Sequence, residues 1–407
     1  MKRHLFSQMA TEWRSNLWLC IQLIIVGLVL WFFSWQLVDI RDTYSSDNAF
    51  DYHNVYYGSI KYINESSSAF VQQPEGHTDA DDLNLIISTL RANPYVEEAG
   101  YGINALPYNF TYYGGACMLP GDTVTPYYSF NARWMTPEML RVLRIEGVDG
   151  ESTEDLVRLL QNHKVIISRN EKIKDISESY RGKDAIHTAD SSNVLSIGAI
   201  IKPFRRNDFE PQRAGNVIML LDYPANGFPS NIAMRVKEGV SPQQFLESLK
   251  PSDLHVGNVL VYDITSLEAT RRSAQHSYWD KVRTAVSGSV FLLVIVFLGF
   301  IGTFWFRTRQ RRSEIAIRKV NGATDGNIYR RLFSEGLTIL LVAAIIDLPL
   351  AYLAIGKLNI GQELNRQMCW PSFALSVLLM AVMILVGVWF PARNAMKIQP
   401  SDALHDE

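Results

Sequence analysis

The sequence predicts an α+β membrane protein: four transmembrane helices, with a large mixed α/β ectodomain between the first and the second. Three observations lead there. Four stretches are apolar and almost free of charge, the long segment between the first two is polar with helix and strand signals interleaved, and the basic residues crowd one side of the implied membrane.

No charged residue falls between Arg14 and Asp39, or between Arg283 and Arg307; the stretch from Gly336 to Gly356 is apolar except for Asp347, and Gln367 to Ala392 is again uncharged. A helix needs ~20 such residues to cross a hydrocarbon core of ~30 Å, and all four stretches qualify. The first is longer than the apolar part of a secretory signal, ~7–15 residues, and it ends in Trp31-Phe32-Phe33-Ser34-Trp35, the composition of an interfacial aromatic belt. It reads as a retained anchor. The expected division is a cytoplasmic N-terminus and first helix over 1–38, an ectodomain with a helical stalk over 39–283, and a region 284–407 with helices at 284–306, 336–356 and 369–390.

Orientation follows from Lys and Arg. The loop 307–335 carries Arg307, Arg309, Arg311, Arg312, Arg318, Lys319, Arg330 and Arg331 against Glu314, Asp325 and Glu335, whereas the loop 357–366 has only Lys357 and Arg366. The positive-inside rule then puts both termini and loop 307–335 in the cytoplasm of a multi-pass inner (plasma) membrane protein, with 39–283 outside. Asp347 is the one acid within a span. Insertion costs ~2.5–3.5 kcal/mol for it, against ~0.3–0.6 kcal/mol returned by each Leu, Ile or Val around it, so the span stands. Two readings of it stay open: an intramembrane polar site on an ion or proton path, or an acid bonded to helix neighbours or reaching to water.

The ectodomain mixes helix starts and strands. Thr78-x-x-Asp81 is a capping-box pattern ahead of Leu83, Ile86, Ile87 and Leu90; Thr136-Pro137 opens another helix, and Ser241-Pro242-Gln243-Gln244 a third, through about Leu249. Strand-like runs lie at Val55–Ile63, Val165–Ser168, Val194–Ile201, Asn216–Asp222, Asn231–Val236 and Val256–Tyr262. Their order suggests a split α/β subdomain with a second subdomain inserted over about 110–215. From about Thr265 the pattern turns helical, a stalk that continues the second span outward.

Chemistry is sparse. There is no G-x-x-x-x-G-K-[ST], no H-E-x-x-H and no C-x-x-C, and Cys20, Cys117 and Cys369 are too few for a disulfide framework. His77 with Asp79, Asp81 and Asp82 reads as a capped helix start before it reads as a metal cluster. A net charge of −2, from 39 Lys+Arg and 41 Asp+Glu, gives no sign of a nucleic-acid partner. The sequence therefore predicts no enzyme and no bound cofactor or metal.

The basic loop carries the most information. Arg307 to Thr324 forms a short basic amphipathic element, which Gly322 can end with a left-handed turn, and Thr324 can cap the helix that follows. The pattern R-x-R-R-x-E-I-x-I-R-K-x-x-G-A-T, with Pro391-Ala392-Arg393, Ala395, Ile398, Pro400, Ala403 and Leu404 near the C-terminus, resembles the MacB-like/FtsX-like ABC permeases. Val165–Ser168, Gly182-Lys183 and Ile197–Ile201 resemble the MacB-like periplasmic core domain. Asn321 departs from the family pattern, where a small or apolar residue is commoner. The resemblance implies a dimer, with a second copy or a paralogue, docked in membrane lipid on a separate ABC ATPase subunit that uses the ATP. It assigns docking to Glu314, Ile317, Arg318, Lys319, Gly322, Ala323, Thr324, Tyr329, Arg330, Pro400 and Leu404. It further implies mechanotransmission, in which ATP-driven motion reaches the ectodomain and acts on an outer-face antibiotic, peptide or lipoprotein, with a periplasmic adaptor or client protein as a further partner. The alternative is a membrane-anchored ligand sensor or a regulator of cell-wall hydrolases.

Overall fold

The computed structural model describes residues 13–108, 111–170, 175–209, 214–223, 227–310, 315, 317, 320–357 and 369–396. Two compact units divide it, Thr43–Tyr278 and Met1–Asp42 with Trp279–Glu407. The first element is the long helix α1 (Trp13–Ser45), and then β1 (Val55–Tyr62), α2 (Asp79–Ala92) and β2 (Val96–Ile103) follow. Next come β3 (Gly114–Met118), β4 (Tyr128–Met135), α3 (Pro137–Leu143), α4 (Thr153–Gln161), β5 (Val165–Ser168), the single turn α5 (Ser177–Tyr180), β6 (Asp184–His187), β7 (Asp190–Ile201) and β8 (Gly215–Leu220). β9 (Asn231–Val236), α6 (Pro242–Ser248), β10 (His255–Val256) and β11 (Val259–Ser266) complete the larger unit, and the remaining helices are α7 (Leu267–Gln310), α8 (Asp325–Lys357) and α9 (Cys369–Met396).

The strands form one sheet in the order β10-β11-β1-β9-β2-β4-β3-β6-β7-β5-β8, with β8 returning to pair with β4. Its first part, β11-β1-β9-β2, has antiparallel neighbours throughout and is built from β1-α2-β2 and β9-α6-β11, a split β-α-β arrangement. Leu83, Ile86, Ile87 and Leu90 of α2 and Phe245 of α6 sink into one apolar cluster with Val96, Ile232, Met234, Val259 and Val261. Both helices start where the sequence says. The Asp81 carboxylate accepts from the backbone N–H and hydroxyl of Thr78 at 2.9 and 2.8 Å, and Ser241 accepts from the Gln244 N–H at 3.2 Å. Val256–Tyr262, expected as one strand, is instead the hairpin of β10 and β11, with Val256 opposite Val259. Gly257-Asn258 makes the two-residue turn that an apolar run on both sides hides.

The second part, β4-β3-β6-β7-β5-β8, closes on itself through the parallel β4–β8 pairing into a six-stranded barrel. Tyr128, Phe130, Ile167, Ile197, Ile200 and Val217 fill it. α3 and α4 cover a neighbouring cluster with Leu140, Leu143, Leu156, Leu160, Ile166 and Ile218. Inside the unit, Arg133 of β4 is fully buried. Its Nε donates to Asn216 Oδ1 at 2.8 Å, Nη1 donates to the carbonyls of Asn104 and Leu106 at 2.6 and 3.2 Å, and the guanidinium lies 4.1 Å over the ring of Phe204.

A surface strap offers a pH test. Asn258 holds Val71 through its N–H and carbonyl, and the buried Asp82 accepts from Gln73 and lies 2.7 Å from His77 Nε2. The hydrogen bond to Asp82 raises the His77 pKa, with burial opposing and Asp82, Asp81 and Asp79 adding charge. A raised histidine stabilises the fold fully below its unfolded value of ~6.5 and loses that contribution as pH rises through the folded value. Proteolysis between residues 70 and 77 should therefore be slower at pH 6 than at pH 8, and His77→Ala should erase the difference. An unaltered pH profile in that variant would remove His77 as the cause.

In the helical unit, Leu19, Leu23, Val26 and Leu30 of α1 pack with Ile339, Leu340 and Ala343 of α8 and with Met380, Met383, Ile384 and Val388 of α9. Four described helices are long and apolar enough to cross a membrane, over Leu17–Ser45, Leu267–Thr303, Asp325–Ala354 and Cys369–Trp389. The full helices α7, α8 and α9 extend beyond the apolar stretches expected at 284–306, 336–356 and 369–390, and α9 continues through Pro391. Pro349 is accommodated inside α8.

Candidate functional site

Two places in the helical unit hold the residues singled out from the sequence. The first is the turn between α7 and α8. Its chain reverses at Gly322, whose φ of 85° belongs to the left-handed region. A Cβ there would meet nothing within 4 Å, so the backbone angle alone calls for glycine. The preceding turn ends with the Asn321 N–H donating to the Ile317 carbonyl at 3.1 Å. On the other side the Thr324 carbonyl accepts from the N–H groups of Asn327 and Ile328 at 3.0 and 3.2 Å, opening α8.

A small apolar contact closes this reversal: Ile315 and Ile328 are buried against each other, with Ala323 and Leu332 packed on them. The turn therefore has its own core, which the charge-rich sequence around it obscures. Ile317 and Val320 stay exposed, 51% and 64%, and Thr324 and Arg330 are exposed beside them. Tyr329 is half-buried instead; its ring stacks on Phe333, and its hydroxyl lies 3.5 Å from the Leu385 carbonyl of α9. Glu314, Arg318, Lys319, Pro400 and Leu404 lie outside the described residues. At the same ends of α7 and α9, Arg309 and Arg393 lie over the rings of Trp305 and Trp389 at 5.5 and 5.3 Å, a cation–π pairing suited to a headgroup layer.

The second place is Asp347, in the C-terminal half of α8. It is 1% exposed, and neither carboxyl oxygen has a hydrogen-bond partner. One oxygen sits where a side chain on Gly27 of α1 would start: a Cβ built at Gly27 overlaps the carboxyl and comes within 3.2 Å of Met380 Cε on α9. One turn further along, Trp31 packs with Ala351 and Cys369, and its indole N–H is buried without a partner. The small residue that admits the acid lies 320 positions away in sequence, so no local signal marks the contact.

Comparison with known proteins places these features. A family described as FtsX-like permease C-terminal matches residues 286–400. The chain is 27% identical over 177 residues to a probable syringafactin export ATP-binding/permease protein, SyfD, of Pseudomonas syringae pv. tomato, which covers 43% of this chain and 26% of that protein. It is 32% identical over 123 residues to the macrolide export ATP-binding/permease protein MacB of Chromobacterium violaceum, 29% of this chain and 19% of that one. The matched part is thus about a quarter or less of those relatives' own length. The extracellular domain of the noncanonic ABC-type transporter YknZ from Gram-positive bacteria aligns with 51% of this chain and 100% of that domain, at 12% identity and a TM-score of 0.32. Residues 286–400, which contain the glycine-stopped turn, thus match the FtsX-like permease C-terminal family, and MacB-type export proteins are among those this chain is similar to.

Proposed function

We propose that the chain is the permease subunit of an ABC-type exporter that works with a separate cytoplasmic ATPase. The reversal at Gly322 carries the reading. It is a small, self-packed projection between two membrane-spanning helices, it displays Ile317 and Val320 to solvent, and it falls within the FtsX-like region. Exposed aliphatic side chains on a braced turn suit a hydrophobic cleft on a partner better than a passive loop, which would present charge alone. Nucleotide-driven closure of the ATPase pair would move this projection in each half of a dimer and displace the ectodomain without opening a polar path through the bilayer. An outer-face antibiotic, peptide or lipoprotein is the class of cargo this mechanism serves, and an adaptor or client protein outside the membrane would complete the route. Both termini are cytoplasmic in this arrangement, and the ATP is used by the partner.

The test is purification of the full chain from its native membranes. A nucleotide-hydrolysing subunit should accompany it and should be lost when Ile317 and Val320 are both replaced by Asp. Purification without such a subunit would sink the proposal and favour the ligand-sensor reading. Gly322→Val is expected to retain membrane insertion, because a Cβ there meets no atom. A left-handed angle on an L residue costs roughly 1–2 kcal/mol, so the variant should weaken ATPase binding about 5–30-fold. Wild-type affinity in that variant would show that the turn's shape is not what the partner reads.

A further inference from the structure

The segment 202–209, which follows β7, touches the outer end of α1 and the root of α7 at once. Toward α1, Arg205 is fully buried, and its Nη1 donates to the carbonyls of Thr43 and Ser46 at the helix end. The Pro203 carbonyl accepts from the Ala49 N–H at 3.0 Å, and Lys202 reaches Asp47 at 3.0 Å. Toward α7, the buried Asp208 carboxylate has both oxygens occupied. One accepts from Arg271 Nε at 2.7 Å and from Gln275 Nε2, the other from the Tyr108 hydroxyl at 3.3 Å and Asn48 Nδ2 at 3.4 Å. Arg271 in turn lies 4.6 Å over the ring of Tyr52. Phe209 touches both helices: its ring is 5.3 Å from that of Tyr44 and stacks at 5.8 Å, 7° from parallel, on Tyr278.

We infer that residues 202–209 form a latch that fastens the outer end of α1 to the root of α7, with Asp208 and Phe209 as its two holding points. Three features support a holding role. The polar contacts of Asp208 are buried, so water does not compete for them. Arg205 binds the backbone carbonyls of Thr43 and Ser46, so its grip follows where the helix ends. The segment also follows directly on β7, so a displacement of either helix end is passed to the barrel. Under the mechanical role proposed above, the latch makes two helix ends deliver one movement; the geometric claim itself does not depend on an ATPase.

The experiment is a distance measurement by electron spin resonance on the full chain in nanodiscs. Cys20, Cys117 and Cys369 are first replaced by Ala. Nitroxides are then placed at Ser45→Cys and Arg272→Cys across the latch, and, in a second sample, at Thr123→Cys and Ser191→Cys within the barrel unit. The parent should give one narrow distance for each pair. Asp208→Asn combined with Phe209→Ala should abolish the narrow distance across the latch and leave the barrel pair unchanged. A latch distance that stays narrow overturns the inference. If the barrel pair broadens too, Phe209→Leu alone, which keeps the core filled while removing the stacked ring, is put to the same two outcomes. Once the ATPase is in hand, the latch variant should hydrolyse ATP while losing nucleotide-dependent change in the barrel's accessibility. Loosened labels with no ATPase ever recovered would instead retain the latch and discard the exporter reading.

Discussion

Gly27→Val should disrupt the packing of α1, α8 and α9 and yield a helical unit that no longer purifies as a single species. The carboxyl of Asp347 occupies the space any Cβ at position 27 would take, and Met380 closes the side. Overpacking of this kind costs roughly 1–3 kcal/mol, and valine adds two methyl groups beyond the first clash. The expected reading is a broadened elution profile and a Tm lower by up to ~10 °C, followed by tryptophan fluorescence, since Trp31 and Trp35 are buried in this unit. Asp347→Ala should be tolerated on its own, because its carboxyl has no hydrogen bond to lose. Gly27→Ala should recover most of its stability in that background. A valine variant with unchanged Tm would mean that the helices do not approach at this point.

The second large effect belongs to Arg133. Burial, with the charge of Arg206 second, pushes its guanidinium pKa down to about 9, which leaves it protonated at neutral pH. The carbonyls of Asn104 and Leu106 and the side chain of Asn216 depend on it. Arg133→Met fills much of the volume but strands those acceptors, each at ~1–3 kcal/mol. The ectodomain should lose ~3 kcal/mol or more, a Tm shift of ~6–12 °C in thermal unfolding of the full chain. Arg158→Ala is the control: its 3.4 Å pair with Asp155 lies at the surface and should change nothing measurable. Equal shifts in the two variants would refute a special role for the buried arginine.

The sequence made some of this legible and hid the rest for identifiable reasons. The apolar stretches and the helix starts at Thr78, Pro137 and Ser241 were readable, because span length and capping are local. α4 carries a local signal too, the capping pair Ser152-x-x-Asp155. β4 was not readable: Asn131 and Arg133 break its apolar pattern although both are buried, since the unit around them supplies their partners. β3 and β6 are too short, five and four residues, to show alternation. At the glycine-stopped turn, backbone conformation and capping were legible from Gly322 and Thr324. The burial of Ile315 against Ile328 and the inward turn of Tyr329 were not, because they depend on how two helices fold back on each other.

Closure of β4, β3, β6, β7, β5 and β8 into a ring has a consequence for recognition outside the membrane. A ring presents no long row of unsatisfied amides, so it gives an incoming extended peptide nothing to zip onto. Whatever molecule engages that part of the protein must therefore be met by side chains and loop tips, and identical rings on crowded neighbouring molecules cannot polymerise through backbone pairing.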